Sequence, residues 1–151
     1  LGLVLITGTV FGYLKFTNQT VGVNITESLP QTVFLVKHGM PFSKGDMSQF
    51  TYNADDEKFL TDGSRIIKIV AGIPGNVINF EGSDFFIIGV NFGKAKEVSR
   101  TGKSLTKNIS KTLSEDEYFV FTPHPDSFDS RYIHMGYISN SQIVGKVVRA
   151  W

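Results

Sequence analysis

Lys68 and Ser28 are the two residues whose types could make and break acyl bonds. Lys68 lies inside the apolar run Arg65–Ala71 (RIIKIVA). If that run is a strand, residues two apart share a face, so Lys68 stands with Ile66 and Val70, and Ile67 and Ile69 face the other way. Such a lysine either snorkels from an edge strand or is buried, where desolvation disfavours the ammonium and lowers its pKa. A lysine made neutral in this way can take a proton from a serine hydroxyl. Ser28 sits in Asn24-Ile-Thr-Glu-Ser-Leu-Pro30. Read alone, Ser-x-Pro is a turn between strands; the other reading is a nucleophile. Thr26 could aim its hydroxyl at the space beside the Ser28 N–H, and two such donors would form an oxyanion hole. Asp129 and Arg131 in Ser127-Phe-Asp-Ser-Arg-Tyr132 are either a surface ion pair worth little or a buried pair that fixes a loop. A Ser-His-Asp site built on His124 with Asp126 or Asp129 is the competing arrangement, but the chain has no GxSxG elbow. His38, His124 and His134 have no metal-ligand spacing, so no metal and no cofactor is expected.

The elements that must position these groups read as mostly antiparallel β. Val21, Val23 and Ile25 alternate, Glu27–Gln31 breaks the pattern, and Val33–Val36 is a short apolar run. Ser48–Asn53 and Arg65–Ala71 are strands, the second stopped by Gly72-Ile-Pro-Gly-Asn76. Val77–Phe80 and Phe85–Val90 flank a turn and predict a hairpin. Lys94–Lys111 is basic, rich in Ser and Thr, and reads as a loop or small insert with a solvated face. Tyr118–Thr122 and Gln142–Trp151 are the last strands, with the loop Pro123–Asp129 between them. Convincing amphipathic helices are scarce.

The whole chain sets the bounds. With 151 residues and 41% hydrophobic content, one domain with a real core is expected. A net charge of +1 argues against a nucleic-acid partner. With no cysteine there is no disulfide, thiolate nucleophile or thiolate metal site. The opening run LGLVLITGTVFGYL is apolar up to Lys15 but shorter than the roughly 20 residues that span a bilayer. It reads as the outer end of a spanning helix, a signal-peptide core or a buried strand. The first of these gives an N-terminal membrane anchor at 1–16, truncated, followed by a catalytic domain at 17–151. Some of the 13 phenylalanines would then face lipid or a substrate groove.

Four blocks in order resemble the type I signal peptidases, and most closely their TraF-type conjugative-transfer branch. They are Asn24–Pro30, with Thr and Pro around the serine; Lys44-Gly-Asp-Met-Ser-Gln-Phe50; Ile67-Lys-Ile-Val-Ala-Gly-Ile-Pro-Gly75; and Asp126–Tyr132 followed by Ile143-Val-Gly145. The resemblance implies Ser28 as nucleophile and Lys68 as general base, with the Thr26 hydroxyl and Ser28 N–H as oxyanion hole. It further implies that Ser127 orients the lysine amine, and that Asp129, paired with Arg131, is a third essential position holding that loop. It implies an antiparallel β catalytic domain with a reduced second lobe, tethered by its N-terminal helix to membrane lipid and facing the periplasm. The implied substrate is a protein: a conjugative pilin precursor, cleaved or cyclised, or another exported protein. A general leader-removing peptidase and a non-catalytic periplasmic β module are the alternatives. The sequence departs from the family pattern at Ile69, where arginine is common, at Asn76, where aspartate is usual, at Thr122-Pro-His-Pro125 and at His134-Met135.

Overall fold

In the computed structural model, residues 2–24, 29–53 and 59–151 are described, with side chains described from Thr9 onward. The apolar start is helical, α1 (Gly2–Phe16), so the buried-strand reading of this stretch is set aside. No helix among the described residues is long and apolar enough to cross a membrane. Val10, Phe11, Tyr13 and Phe16 are exposed on α1, whereas most of the other phenylalanines pack into the core. The helix ends at Asn18, which adopts the left-handed conformation (φ 54°) that asparagine tolerates. The Asn18 N–H donates to the Lys15 carbonyl at 3.2 Å. Strand β1 (Gln19–Val23) follows directly.

The remaining elements are β2 (Val33–His38), β3 (Met47–Thr51), β4 (Arg65–Gly72), β5 (Val77–Glu81), β6 (Asp84–Ile87), β7 (Val90–Lys94), β8 (Lys111–Thr112), β9 (Glu117–Phe121), β10 (Ile138–Ser139) and β11 (Ile143–Ala150). They form a seven-stranded sheet, β1-β2-β11-β3-β4-β9-β10, and a four-stranded sheet, β7-β6-β5-β8. Every pairing is antiparallel. The expected single strand Phe85–Val90 is two strands. Ile88 and Gly89 both take positive φ (52° and 75°) and form the two-residue turn that reverses the chain. Glycine announces such a turn; a β-branched residue at its first position conceals it.

Three apolar clusters hold the sheets. Ala71, Ile78, Phe85, Ile87, Leu113, Phe119 and Phe121 join the two sheets. Phe50, Tyr52, Val70, Val120, Met135 and Ile138 cover one face of the large sheet. Leu29, Phe34, Val36, Ile67 and Val147 fill the hollow on its curled end. That curl brings β1 back over β3 and β4 although three strands separate it from β4 in the sheet order. A Cβ on Gly22 of β1 would stand 2.9 Å from Gln49 Nε2 and 3.2 Å from Ile67 Cδ1. Gly72 is equally constrained, since a Cβ there would stand 2.9 Å from the Phe119 Cβ. The turn after it is closed by Asn76, whose Oδ1 accepts the Ile73 N–H at 3.1 Å.

Candidate functional site

Lys68 lies in β4, opposite Ser48 of β3. On its other side β4 pairs with β9 only from Ile69 onward, so Arg65–Lys68 form an open edge beside a cleft. The cleft has a volume of about 920 Å³, and Ile66, Ile67, Phe59, Leu60 and Phe128 contribute its apolar walls. An open edge would let a lysine snorkel, yet Lys68 is only 4% exposed. The loop between β9 and β10 covers it: Lys68 Nζ and Ser127 Oγ are hydrogen-bonded at 2.6 Å. Burial pushes the Lys68 amine down from its ordinary 10.5 to about 8; the Asp129 charge opposes this and the Arg131 charge adds to it. The desolvated reading of this lysine holds, and its proton can be exchanged near neutral pH.

Asp129 and Arg131 form the buried alternative, 0% and 3% exposed. Arg131 Nε and one terminal nitrogen each donate to an Asp129 carboxylate oxygen at 2.8 Å, the two-pronged geometry available to a planar guanidinium. The same terminal nitrogen donates to the carbonyls of His124 at 2.9 Å and Ser127 at 3.2 Å. Asp129 also accepts the Thr122 N–H. The pair therefore sets the backbone of Thr122–Ser127 and through it the Ser127 hydroxyl; no hydrogen bond joins it to Lys68.

The basic insert shares in this support, and its charges are not simply solvated. Lys96 pairs with Asp126 at 2.5 Å, and Lys111 with Glu117 at 2.7 Å. Asn108 donates to the Ser130 carbonyl at 3.0 Å. Insert and loop are thereby tied together. His124 is occupied within its own loop, its Nδ1 accepting the Asp126 N–H at 3.2 Å. With Asp129 engaged by Arg131, the Ser-His-Asp arrangement is not assembled among the described residues.

Thr26 and Ser28 lie outside the described residues, within 25–28. The residues flanking that segment border the site. Asn24 lines the cleft, and Leu29 lines an adjoining cavity of about 680 Å³ with Pro30, Met47, Ile69 and His124. Asn24 clamps the two ends of the segment: its side chain donates to the Leu29 carbonyl at 3.2 Å and the Gln31 carbonyl at 3.3 Å. The sequence reading missed Gln49, Phe59 and Phe128 as cleft residues. Phe59 and Phe128 stack at 4.7 Å although they come from distant connectors, so no local pattern pairs them. Among the described residues no cluster of His, Asp or Glu could hold a metal ion.

A buried amine with a lowered pKa, held beside a cleft with both apolar and polar walls, is suited to moving protons for a bound peptide. The chain belongs to the family described as "Signal peptidase, peptidase S26", which it matches over residues 1–151, a family of serine peptidases. A signal peptidase I from Enterococcus faecalis V583 is a similar solved structure, at 22% identity and a TM-score of 0.46, covering 71% of this chain and 97% of that one. No curated protein matches the chain.

Proposed function

We propose that this chain is a membrane-anchored serine endopeptidase with a Ser28/Lys68 dyad. We further propose that it cleaves, and in one variant of the reaction cyclises, a conjugative pilin precursor or a related exported protein. The observation that carries this reading is the buried Lys68 amine, lowered to about 8 and bonded to Ser127 at the end of an open strand edge. Among the described residues that edge has no strand partner on this side, so its main-chain donors and acceptors can meet an extended peptide. Neutral Lys68 takes the Ser28 hydroxyl proton as Ser28 Oγ attacks the scissile carbonyl. The Ser28 N–H and Thr26 hydroxyl stabilise the tetrahedral oxyanion. As the C–N bond breaks, Lys68 gives its proton to the leaving amine, and an acyl-enzyme remains. Attack on that ester by water yields a linear product; attack by the chain's own N-terminal amine yields a circle, lighter by one water. Ser127 orients the amine, and the Asp129–Arg131 pair holds Ser127. The exposed apolar side chains of α1, with Phe16 at 90% exposure, support a tether to lipid at the outer face of the cytoplasmic membrane. The preference for a pilin rests on the sequence resemblance to the conjugative-transfer branch.

The pH profile tests the base. The free amine is the active form, so kcat/KM should rise about tenfold per pH unit up to an apparent pKa near 8 and level off above it. Measured on a precursor peptide, a profile flat from pH 5 to 9 would contradict Lys68 as base. Mass spectrometry of the product distinguishes water from amine as the final acceptor.

A further inference from the structure

Thr122 is 0% exposed, and among the described residues its Oγ1 is the one buried side-chain oxygen or nitrogen without a hydrogen-bond partner. A folded protein seldom keeps such a group, because an unpaired buried hydroxyl costs stability. The main chain of Thr122 is occupied: its N–H donates to Asp129 at 3.2 Å, and its carbonyl accepts from Arg131 at 3.4 Å. The sheet fixes where the side chain stands. Val70 of β4 lies opposite Val120 of β9, and Ile69 opposite Phe121; one step further, where the ladder ends, Thr122 comes up to Lys68. Val70 and Val120 share one apolar cluster, whereas Phe121 packs in another. Side chains alternate along a strand, so Lys68 and Thr122 follow Val70 and Val120 on the same face. The main-chain groups of Thr122 are bonded to the loop and not to β4. That is the kind of cross-strand pair in which side chains approach most closely.

We infer that Thr122 is a further positioning residue, whose hydroxyl accepts a hydrogen bond from Lys68 Nζ once the amine carries the nucleophile's proton. The inference rests on the peptidase reading above. An ammonium has three N–H donors and no acceptor. One of them meets Ser127 Oγ, and the one holding the transferred proton faces the reacting atoms. The third needs an acceptor, because a buried charge is tolerated only when it is hydrogen-bonded. Ser48, beside Lys68 on β3, is engaged with the Gly145 carbonyl at 2.9 Å. The Thr122 hydroxyl is the idle acceptor on this face. A bond made to the charged amine and absent at rest lowers the barrier, since it is stronger in the transition state than in the ground state. The charges that bear on Lys68 are Asp129 and Arg131 of the covering loop. Arg65, Arg100, His38, His124 and Asp126 are the other ionisable groups lining the cleft, and all of these stay in place in the variants below.

Thr122→Val in the full chain keeps the shape of the side chain and removes the oxygen. On a precursor peptide its kcat/KM should fall about 10- to 100-fold on the alkaline plateau, as loss of a hydrogen bond to a charged group predicts. The acid limb should move down by about one pH unit, because the ammonium has lost an acceptor. Thr122→Ser should restore both. Urea melts give a readout independent of turnover. Above about pH 9 the amine is neutral and the hydroxyl idle, so Thr122→Val should be at least as stable as the wild type. Losing the acceptor takes the folded-state pKa of Lys68 further below its unfolded value, so the variant should lose ground to the wild type as pH falls through about 8. If the stability difference is the same at about pH 6.5 and about pH 9.5, or if plateau and limb are unchanged in Thr122→Val, the inference is overturned and the peptidase reading stands. If the wild type cleaves no precursor, the peptidase reading fails and the catalytic role of Thr122 fails with it; the melts then decide alone whether the hydroxyl meets the ammonium.

Discussion

Lys68→Met should abolish processing, with a loss of at least about 10³ in kcat/KM, while leaving the fold intact. Ser28→Ala should match it, and the double variant should be no worse than either single one, since the two act as a unit. Wild-type turnover by either variant would sink the dyad. The lysine variant also has a signature in stability that a merely structural lysine would lack. The folded-state pKa of Lys68 is lowered to about 8 from 10.5, so between these values the unfolded chain binds more protons than the folded one. Below pH 8 both states carry the charge and the cost of burying it is fully present. As pH rises from 8 to 10.5 the cost disappears, so the wild type gains stability there relative to a methionine variant. The shift corresponds to a change on the order of 3 kcal/mol in the difference between the two proteins. Urea unfolding at pH 7 and pH 11 measures it: Lys68→Met should fare better against the wild type at pH 7 than at pH 11. A difference independent of pH would show that the amine is not desolvated.

Asp129→Ala should be the most destabilising single replacement in the loop, by roughly 3–5 kcal/mol. It leaves the buried Arg131 guanidinium without its counter-charge. Asp129→Ala combined with Arg131→Met should recover much of that loss, because the stranded charge is gone. Activity should not recover with it. The carbonyls of His124 and Ser127 lose the guanidinium that fixes them, and the Ser127 hydroxyl loses its placement. Stability from denaturant melts and kcat from a peptide assay separate the two effects. A double variant that regains both would show that the loop is held by something other than the pair.

Much of this site was legible as a string of residues. The strand Arg65–Ala71 and its stop show in composition and in Gly72-Ile-Pro-Gly75. The same holds for the Asp129–Arg131 spacing, which suits a side chain folding back on its neighbour. What local pattern could not decide was cover. Whether Lys68 snorkels or is buried depends on a loop 59 residues away. Gln49 and Phe128 are equally silent in sequence, because their neighbours arrive through the curl of the sheet and from remote connectors. The two-residue strands β8 and β10 are too short to carry a period, and the turn at Ile88-Gly89 begins with the wrong kind of residue. The nucleophile assignment still rests on its sequence block, with the described flanks Asn24 and Leu29 both bordering the site.

Only Thr17 and Asn18 separate α1 from β1, and the hand-over is stiff. The Asn18 carbonyl accepts the His38 N–H at 3.0 Å, and the Thr17 hydroxyl donates to Tyr13 at 2.8 Å. Strand β1, whose residues Thr20, Val21, Gly22 and Val23 line the cleft, thus follows α1 through a short hydrogen-bonded joint. Whatever holds α1 is therefore only two residues from a strand that lines the cleft. With the helix lodged in lipid, the enzyme would act as a ruler: substrates would be cut at a fixed stand-off from the bilayer, and lengthening the Thr17–Asn18 joint would blur the measurement before it weakened the chemistry.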